Sequence, residues 1–147
     1  MENVGAVTFT ESFLWFNKTP TKSEIVTFKN VILHELAHMW FGDLVTMQWW
    51  DDLWLNEAFA TFTSFLAQQV DEELQKHNQG AWNAFNRYAY WGTITDKLPS
   101  NHPIVKDCVH TDSAEDMFNG ISYGKGSAFL KQFYHLIGNE VFSKGLH

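Results

Sequence analysis

Residues 21–42, TKSEIVTFKNVILHELAHMWFG, decide how this chain folds. Thr21 follows Pro20 and stands three residues before Glu24, the pattern in which a hydroxyl and a carboxylate each satisfy a free backbone N–H at a helix start. From there Ile25, Phe28, Ile32, Leu36 and Trp40 recur every three or four residues until Gly42 offers a stop. The spacing therefore predicts a helix from about Thr21 to Gly42. On it His34 and His38 lie one above the other on a single face, so both imidazoles can reach one ion. Glu35 projects about 100° away from His34 around the axis. It cannot easily join them as a ligand, but it can reach a water beside the ion.

A third ligand must come from another segment. Glu57, separated from His38 by 18 residues and set in the run Trp54-Leu55-Asn56-Glu57-Ala58-Phe59-Ala60, is the candidate because it opens a second helical pattern. Two imidazoles and one carboxylate leave a fourth tetrahedral position open, the donor set of a catalytic rather than a structural zinc site. His34, His38 and Glu57 are thus the expected ligands of one zinc ion per chain. Glu35 is the expected general base, and hydrolysis the expected chemistry.

The rest of the chain sorts around this core. Val7 and Phe9 alternate with Thr8 and Thr10, which reads as a short strand over Val4 to Thr10, and Phe13 to Phe16 as a second strand or a loop anchor. Leu44 to Trp50 must return the chain so that Glu57 comes beside His38. A second helix is expected from an Asn56 N-cap over Glu57 to Gln75, with Phe59, Phe62, Leu66 and Val70 on its buried stripe and Gly80 breaking it. A third is expected over Ala81 to Trp91 with a stop at Gly92, and a last one over Gly124 to Ile137 with a stop at Gly138. Asp96 to Asp116, with Pro99 and Pro103, reads as loop.

The run HELAHMWFGDLVTMQWWDDLWLNEAFATF resembles the zinc-binding core of the gluzincin aminopeptidases, the family typified by aminopeptidase N and puromycin-sensitive aminopeptidase. Met1-Glu2-Asn3 resembles the end of that family's Gly-x-Met-Glu-Asn motif. Tyr123-Gly124-Lys125-Gly126 is similar to its Tyr-x-Lys-Gly segment, and Asn101-His102-Pro103-Ile104 to a turn upstream of it. The three motifs keep the family's order over nearly the whole chain. The resemblance implies a mainly α chain with a short N-terminal β segment and a helical zinc-binding core, taken from an α+β, thermolysin-like catalytic domain. Because the chain begins inside one motif and stops after Gly138-Asn139-Glu140-Val141-Phe142, residues 1–147 are expected to be part of a catalytic domain truncated at both ends.

The same resemblance implies removal of N-terminal residues from peptides. Tyr123 then stabilises the oxyanion, while Glu2, with Asn3 beside it, holds the substrate's free α-ammonium. Taken alone, Tyr123 reads as a packing tyrosine at a helix start, and Glu2 as a solvated terminal residue. The implied partners are peptides with a free N-terminus and the remainder of the parent chain. Where many relatives carry an acid to orient a zinc histidine, this chain has Thr61 and Ser64, so a hydroxyl must take that place. His77, His102, His110, His135 and His147 lack ligand spacing and read as surface or packing residues. Two alternatives stay open: an inactive fragment, and a zinc-binding interaction module without hydrolytic activity.

Composition excludes other classes. The net charge is −7, and Lys and Arg are scattered singly, which leaves nothing to bind nucleic acid. No run of 18 apolar residues spans a membrane. Cys108, the single cysteine, excludes an internal disulfide and reads as a small buried apolar residue in keeping with a reducing, cytoplasmic compartment. Aromatics make up 16% of the chain, more than so small a helical unit buries without neighbours.

Overall fold

The computed structural model describes residues 1–14, 16–75 and 80–146. Helices dominate: α1 (Glu11–Leu14), α2 (Lys22–His38), α3 (Leu53–Val70), α4 (Glu72–Gln75), α5 (Ala81–Thr95), α6 (Gly126–Ile137) and α7 (Asn139–Gly145). Short 3₁₀ turns occupy Trp50–Asp52 and Thr111–Met117, and a π-helical turn occupies Ile121–Lys125.

α2 starts as its sequence dictates. Thr21 Oγ1 accepts the Glu24 N–H at 3.2 Å, and Glu24 Oε2 accepts the Thr21 N–H at 2.7 Å. A cap of this kind contributes about 1 kcal/mol to the helix. The face it buries is not the apolar stripe read from the sequence. Val26, Asn30 and His38 are buried, whereas Leu36 and Trp40 are 55% and 41% exposed. The half-polar face turns inward because it carries the histidines that meet α3.

α3 is the hub. Leu53, Ala58, Ala60, Phe62 and Phe65 are all buried along it, so α2 packs on one side while α5, α6 and the π-helical turn pack on others. Phe65 meets Phe85 and Tyr88 edge-on with centroids 5.4 Å away. Phe62 joins Leu130 and Phe142. Each such ring contributes about 1.5–3 kcal/mol through burial. A separate cluster of Leu53, Cys108, Ala114 and Met117 ties the 3₁₀ turn Thr111–Met117 to the start of α3, and Cys108 is the small buried residue expected.

Several boundaries differ from the sequence expectations, each for a tertiary reason. No β-strand forms among the described residues: the backbone of residues 4–10 makes no ladder, only a turn from Ala6 N–H to Asn3 O and a single exchanged pair between Thr8 and Met1. The alternation survives in burial alone, with Val7 and Phe9 half-buried and Thr8 and Thr10 exposed. Residues 11–14 form a helical turn rather than a strand, and Trp15 lies outside the described residues.

α3 begins at Leu53, because the 3₁₀ turn before it runs straight into the helix, so Asn56 is a helical residue and not a cap. It also ends earlier. Asp71 leaves the helical region and its Oδ1 caps α4 by accepting the Leu74 N–H at 2.8 Å, which leaves Val70 62% exposed. α5 passes through Gly92 to Thr95, since that glycine serves a close contact and not a stop. Gly138, with φ +79°, ends α6 as expected, yet α7 follows and buries Phe142 against Phe62 and Tyr134.

Candidate metal centre

Three side chains converge where α2 crosses α3. His34 Nε2 and His38 Nε2 are 3.0 Å apart, and Glu57 Oε2 lies 3.2 Å from the first and 3.3 Å from the second. His38 and Glu57 are buried and His34 is nearly so. Tetrahedral zinc with ligand bonds of about 2.0–2.1 Å separates its donor atoms by about 3.3 Å. The three donors form a triangle of this size with no rearrangement, so these residues fit the ion that the sequence pattern calls for.

The opposite ring nitrogens are held. His38 Nδ1 donates to Phe41 O at 2.9 Å and to Asn56 Oδ1 at 2.8 Å, and His34 Nδ1 faces Thr61 Oγ1 at 3.4 Å. Protons kept on Nδ1 leave the Nε2 lone pairs free to ligate. Asn56 owes this contact to its place one turn into α3, directly before Glu57 in sequence. It is therefore not the helix cap that the sequence pattern predicts. Its approach to the ring also needs Gly42, whose φ is +129° and where a Cβ would stand 2.6 Å from Asn56 Oδ1. Of the two hydroxyls expected in place of an acid, Thr61 reaches His34, whereas Ser64 bonds Asn30 Oδ1 and Thr61 O.

Electrostatics agree with a cation between these groups. Burial raises the proton affinity of Glu57, but hydrogen bonds and charge from His34 and His38 outweigh it and pull the carboxyl down to about 2. Burial also works against a charged His38, yet hydrogen bonding and attraction from Glu57 push it up to about 9. In the absence of metal a proton holds the place of the positive charge.

Glu35 lies just off this triangle, as its position on α2 requires, with its carboxylate Oε2 3.0 Å from the Met1 amino nitrogen and no well-formed hydrogen bond. Carboxylate atoms of Glu2 and Glu35 and a ring nitrogen of His38 fall within 4.8 Å of one another. Tyr123 is stacked between His34 and Trp91, with centroids 6.0 and 5.9 Å away and planes 28° apart in both cases. Burial first, then the negative charge of Glu57, Glu2 and Glu35, hold its phenol well above the usual tyrosine range. It therefore stays a donor.

Tyr123 reaches this position through a backbone approach. It sits on the π-helical turn, packed on α5 so closely that a Cβ at Gly124 would stand 2.1 Å from Tyr88 O and 2.8 Å from Gly92 N. Neither the π-turn nor these contacts can be read from the Tyr-Gly-Lys-Gly motif, although π-turns recur at functional sites.

The site opens into a cavity of about 450 Å³. Its lining includes the acidic Glu2, Glu35, Asp43 and Glu57 and the apolar Met47, Trp50, Leu53 and Phe118. No Lys or Arg lines it among the described residues. Asn3 is exposed and stands outside the lining, its carbonyl turned to Ala6 N–H. His102 is half-buried and accepts from Asn119 Nδ2 at 2.8 Å, His110 and His135 are exposed, and His77 and His147 lie outside the described residues.

Comparison with known proteins places this geometry. A family model described as "Peptidase family M1 domain" matches residues 1–147. Aminopeptidase N of Streptomyces lividans is 44% identical over 147 residues, which cover 99% of this chain and 17% of that protein. Aminopeptidase M1-A of Oryza sativa subsp. japonica is 41% identical over 150 residues, with 99% and 16% covered. Endoplasmic reticulum aminopeptidase 2 of Bos taurus is 37% identical over 148 residues, with 99% and 15% covered. The chain spans less than a fifth of the length of these curated relatives.

Proposed function

Because the chain belongs to peptidase family M1, we propose that the protein is a zinc-dependent aminopeptidase, which hydrolyses the N-terminal bond of peptides. The observation that carries this reading is the ligand triangle, His34 Nε2, His38 Nε2 and Glu57 Oε2 within 3.0–3.3 Å, opening on a cavity lined by carboxylates. Held by these three residues, zinc supplies Lewis acidity to a water and to the scissile carbonyl.

The remaining steps belong to the chain's own side chains. Glu35 accepts a proton from the attacking water at its carboxylate and returns it to the departing amine. Tyr123, kept protonated by burial and by its acidic neighbours, donates a hydrogen bond to the oxyanion as charge develops there. Glu2, half-buried beside Glu35, binds the substrate's α-ammonium through a charge-assisted hydrogen bond, with Asn3 completing the turn that carries it. A lining with four carboxylates and no cationic side chain favours a substrate that brings its own positive charge.

The 147 residues act, in this reading, as the metal-binding part of a longer catalytic domain. Trp40, Leu44, Val45 and Trp49 are 41–65% exposed close to the site, an apolar surface that a partner segment would cover. The isolated chain is accordingly expected to turn over peptides weakly, or not at all.

Metal analysis with an aminoacyl-anilide panel tests the proposal. One zinc per chain is expected, with hydrolysis of free aminoacyl anilides by the full-length protein, none of their N-acetylated forms, and loss of activity in chelator. Equal rates on free and acetylated substrates would refute the exopeptidase reading, and activity that survives complete metal removal would refute the zinc reading.

A further inference from the structure

The interface between α2 and α3 carries polar groups that the reaction does not use. Asn30, one turn before His34, is buried. Its Oδ1 accepts from Ser64 Oγ at 2.8 Å and from Gln68 Nε2 at 3.4 Å, both on α3 and both buried. Ser64 Oγ further bonds Thr61 O at 2.7 Å, and Gln68 Nε2 bonds Ser64 O at 3.3 Å. Along α3, then, Glu57, Thr61, Ser64 and Gln68 set one polar side chain on each turn, and on α2 His38, His34 and Asn30 answer them in the opposite order.

An apolar seam tolerates more than one register; a hydrogen-bonded one is satisfied in only one. Sliding α2 by one residue moves each side chain about 1.5 Å along the axis and turns it about 100°. That slip takes Asn30 away from Ser64 and Gln68 and carries both histidines away from Glu57. We infer that Asn30 is a positioning residue: with Ser64 and Gln68 it fixes the axial register of α2 against α3, and through it the spacing of the three metal ligands. The inference rests on the proposed zinc site.

Asn30→Leu removes the amide at similar volume. The expected result is a zinc dissociation constant raised at least about tenfold, as when outer partners of metal ligands are deleted. The ligand-field spectrum of the cobalt(II) form changes as well. Ser64→Ala deletes a single oxygen and shifts both metal readouts less, in the same direction; it decides the matter if Asn30→Leu does not fold. Zinc affinity and cobalt spectrum equal to the parent's overturn the inference. So does a lowered midpoint with both metal readouts unchanged, which would mark Asn30 as ordinary packing. A parent protein that binds no zinc removes the metal site and this inference together, an outcome distinct from a zinc-binding parent with an indifferent Asn30 variant.

Discussion

Gly124→Ala separates the placement of Tyr123 from the binding of metal. The new Cβ would stand 2.1 Å from Tyr88 O, so the π-helical turn must withdraw from α5 by about 1.3 Å to reach the 3.4 Å of ordinary contact. Both obstructing atoms, Tyr88 O and Gly92 N, are backbone, and no change of rotamer relieves the clash. Overpacking of this kind costs about 1–3 kcal/mol of stability. Tyr123, the adjacent residue, rides on the same turn, and its stacking on His34 and Trp91 is lost with the shift. Misplacing a reacting group by about 1 Å costs about 10²-fold in rate. The proposed metal ligands sit on α2 and α3, whereas the clash falls on α5. Denaturant unfolding, zinc content and steady-state kinetics of the full-length variant should therefore show stability down by about 1–3 kcal/mol, zinc retained and kcat down by about 100-fold. A variant with stability within about 0.5 kcal/mol of the parent and an unchanged kcat would refute the argument that close backbone approach positions Tyr123.

Glu35→Gln should leave zinc bound and lower kcat by about 10²–10⁴-fold; near-normal turnover in stopped assays would remove Glu35 as the proton carrier. Tyr123→Phe should cost about 10²–10³ in kcat with little change in stability, since the ring and its stacking remain. Asn56→Leu should weaken zinc binding by about tenfold, the low end of such effects, because Phe41 O still holds His38 Nδ1 at 2.9 Å; chelator competition measures it, and an unchanged affinity would count against the tautomer argument.

In the metal-free protein His38 is raised from 6.5 to about 9, so its contribution to stability is complete below about pH 6.5 and is lost as pH rises through 9. Glu57 is lowered from 4.5 to about 2, so its contribution is complete above about pH 4.5 and is lost as pH falls through 2. Zinc must displace the His38 proton, and the gain in unfolding temperature on adding zinc should therefore grow between pH about 6.5 and 9. A gain independent of pH in thermal scans would contradict this pairing.

Local patterns determined a large part of the outcome. The Thr21–Glu24 box, the i, i+4 histidines, Glu35 turned aside from them and the stop at Gly138 all follow from helix geometry within a few residues, and the structure has each where the sequence puts it. Glu57 as the partner of that histidine pair was legible as well, because two imidazoles and one carboxylate complete a chemical set. What distant segments do to one another was not legible. Apolar periodicity put Ile25, Phe28, Ile32, Leu36 and Trp40 on the inner face of α2; the first three are half-buried, but Leu36 and Trp40 are exposed, and the polar groups of α3 hold Asn30 and His38 inward.

Asn56 looked like a cap until the preceding 3₁₀ turn joined the helix, and Gly92 looked like a stop until the Tyr123 turn lay against it. The alternating residues 7–10 form no ladder beyond the single exchanged pair of Thr8 with Met1. In each case a local preference is worth about 1 kcal/mol or less. A buried hydrogen bond, a metal ligand or a backbone contact supplied by another helix outweighs it, and only the folded chain brings that other helix near.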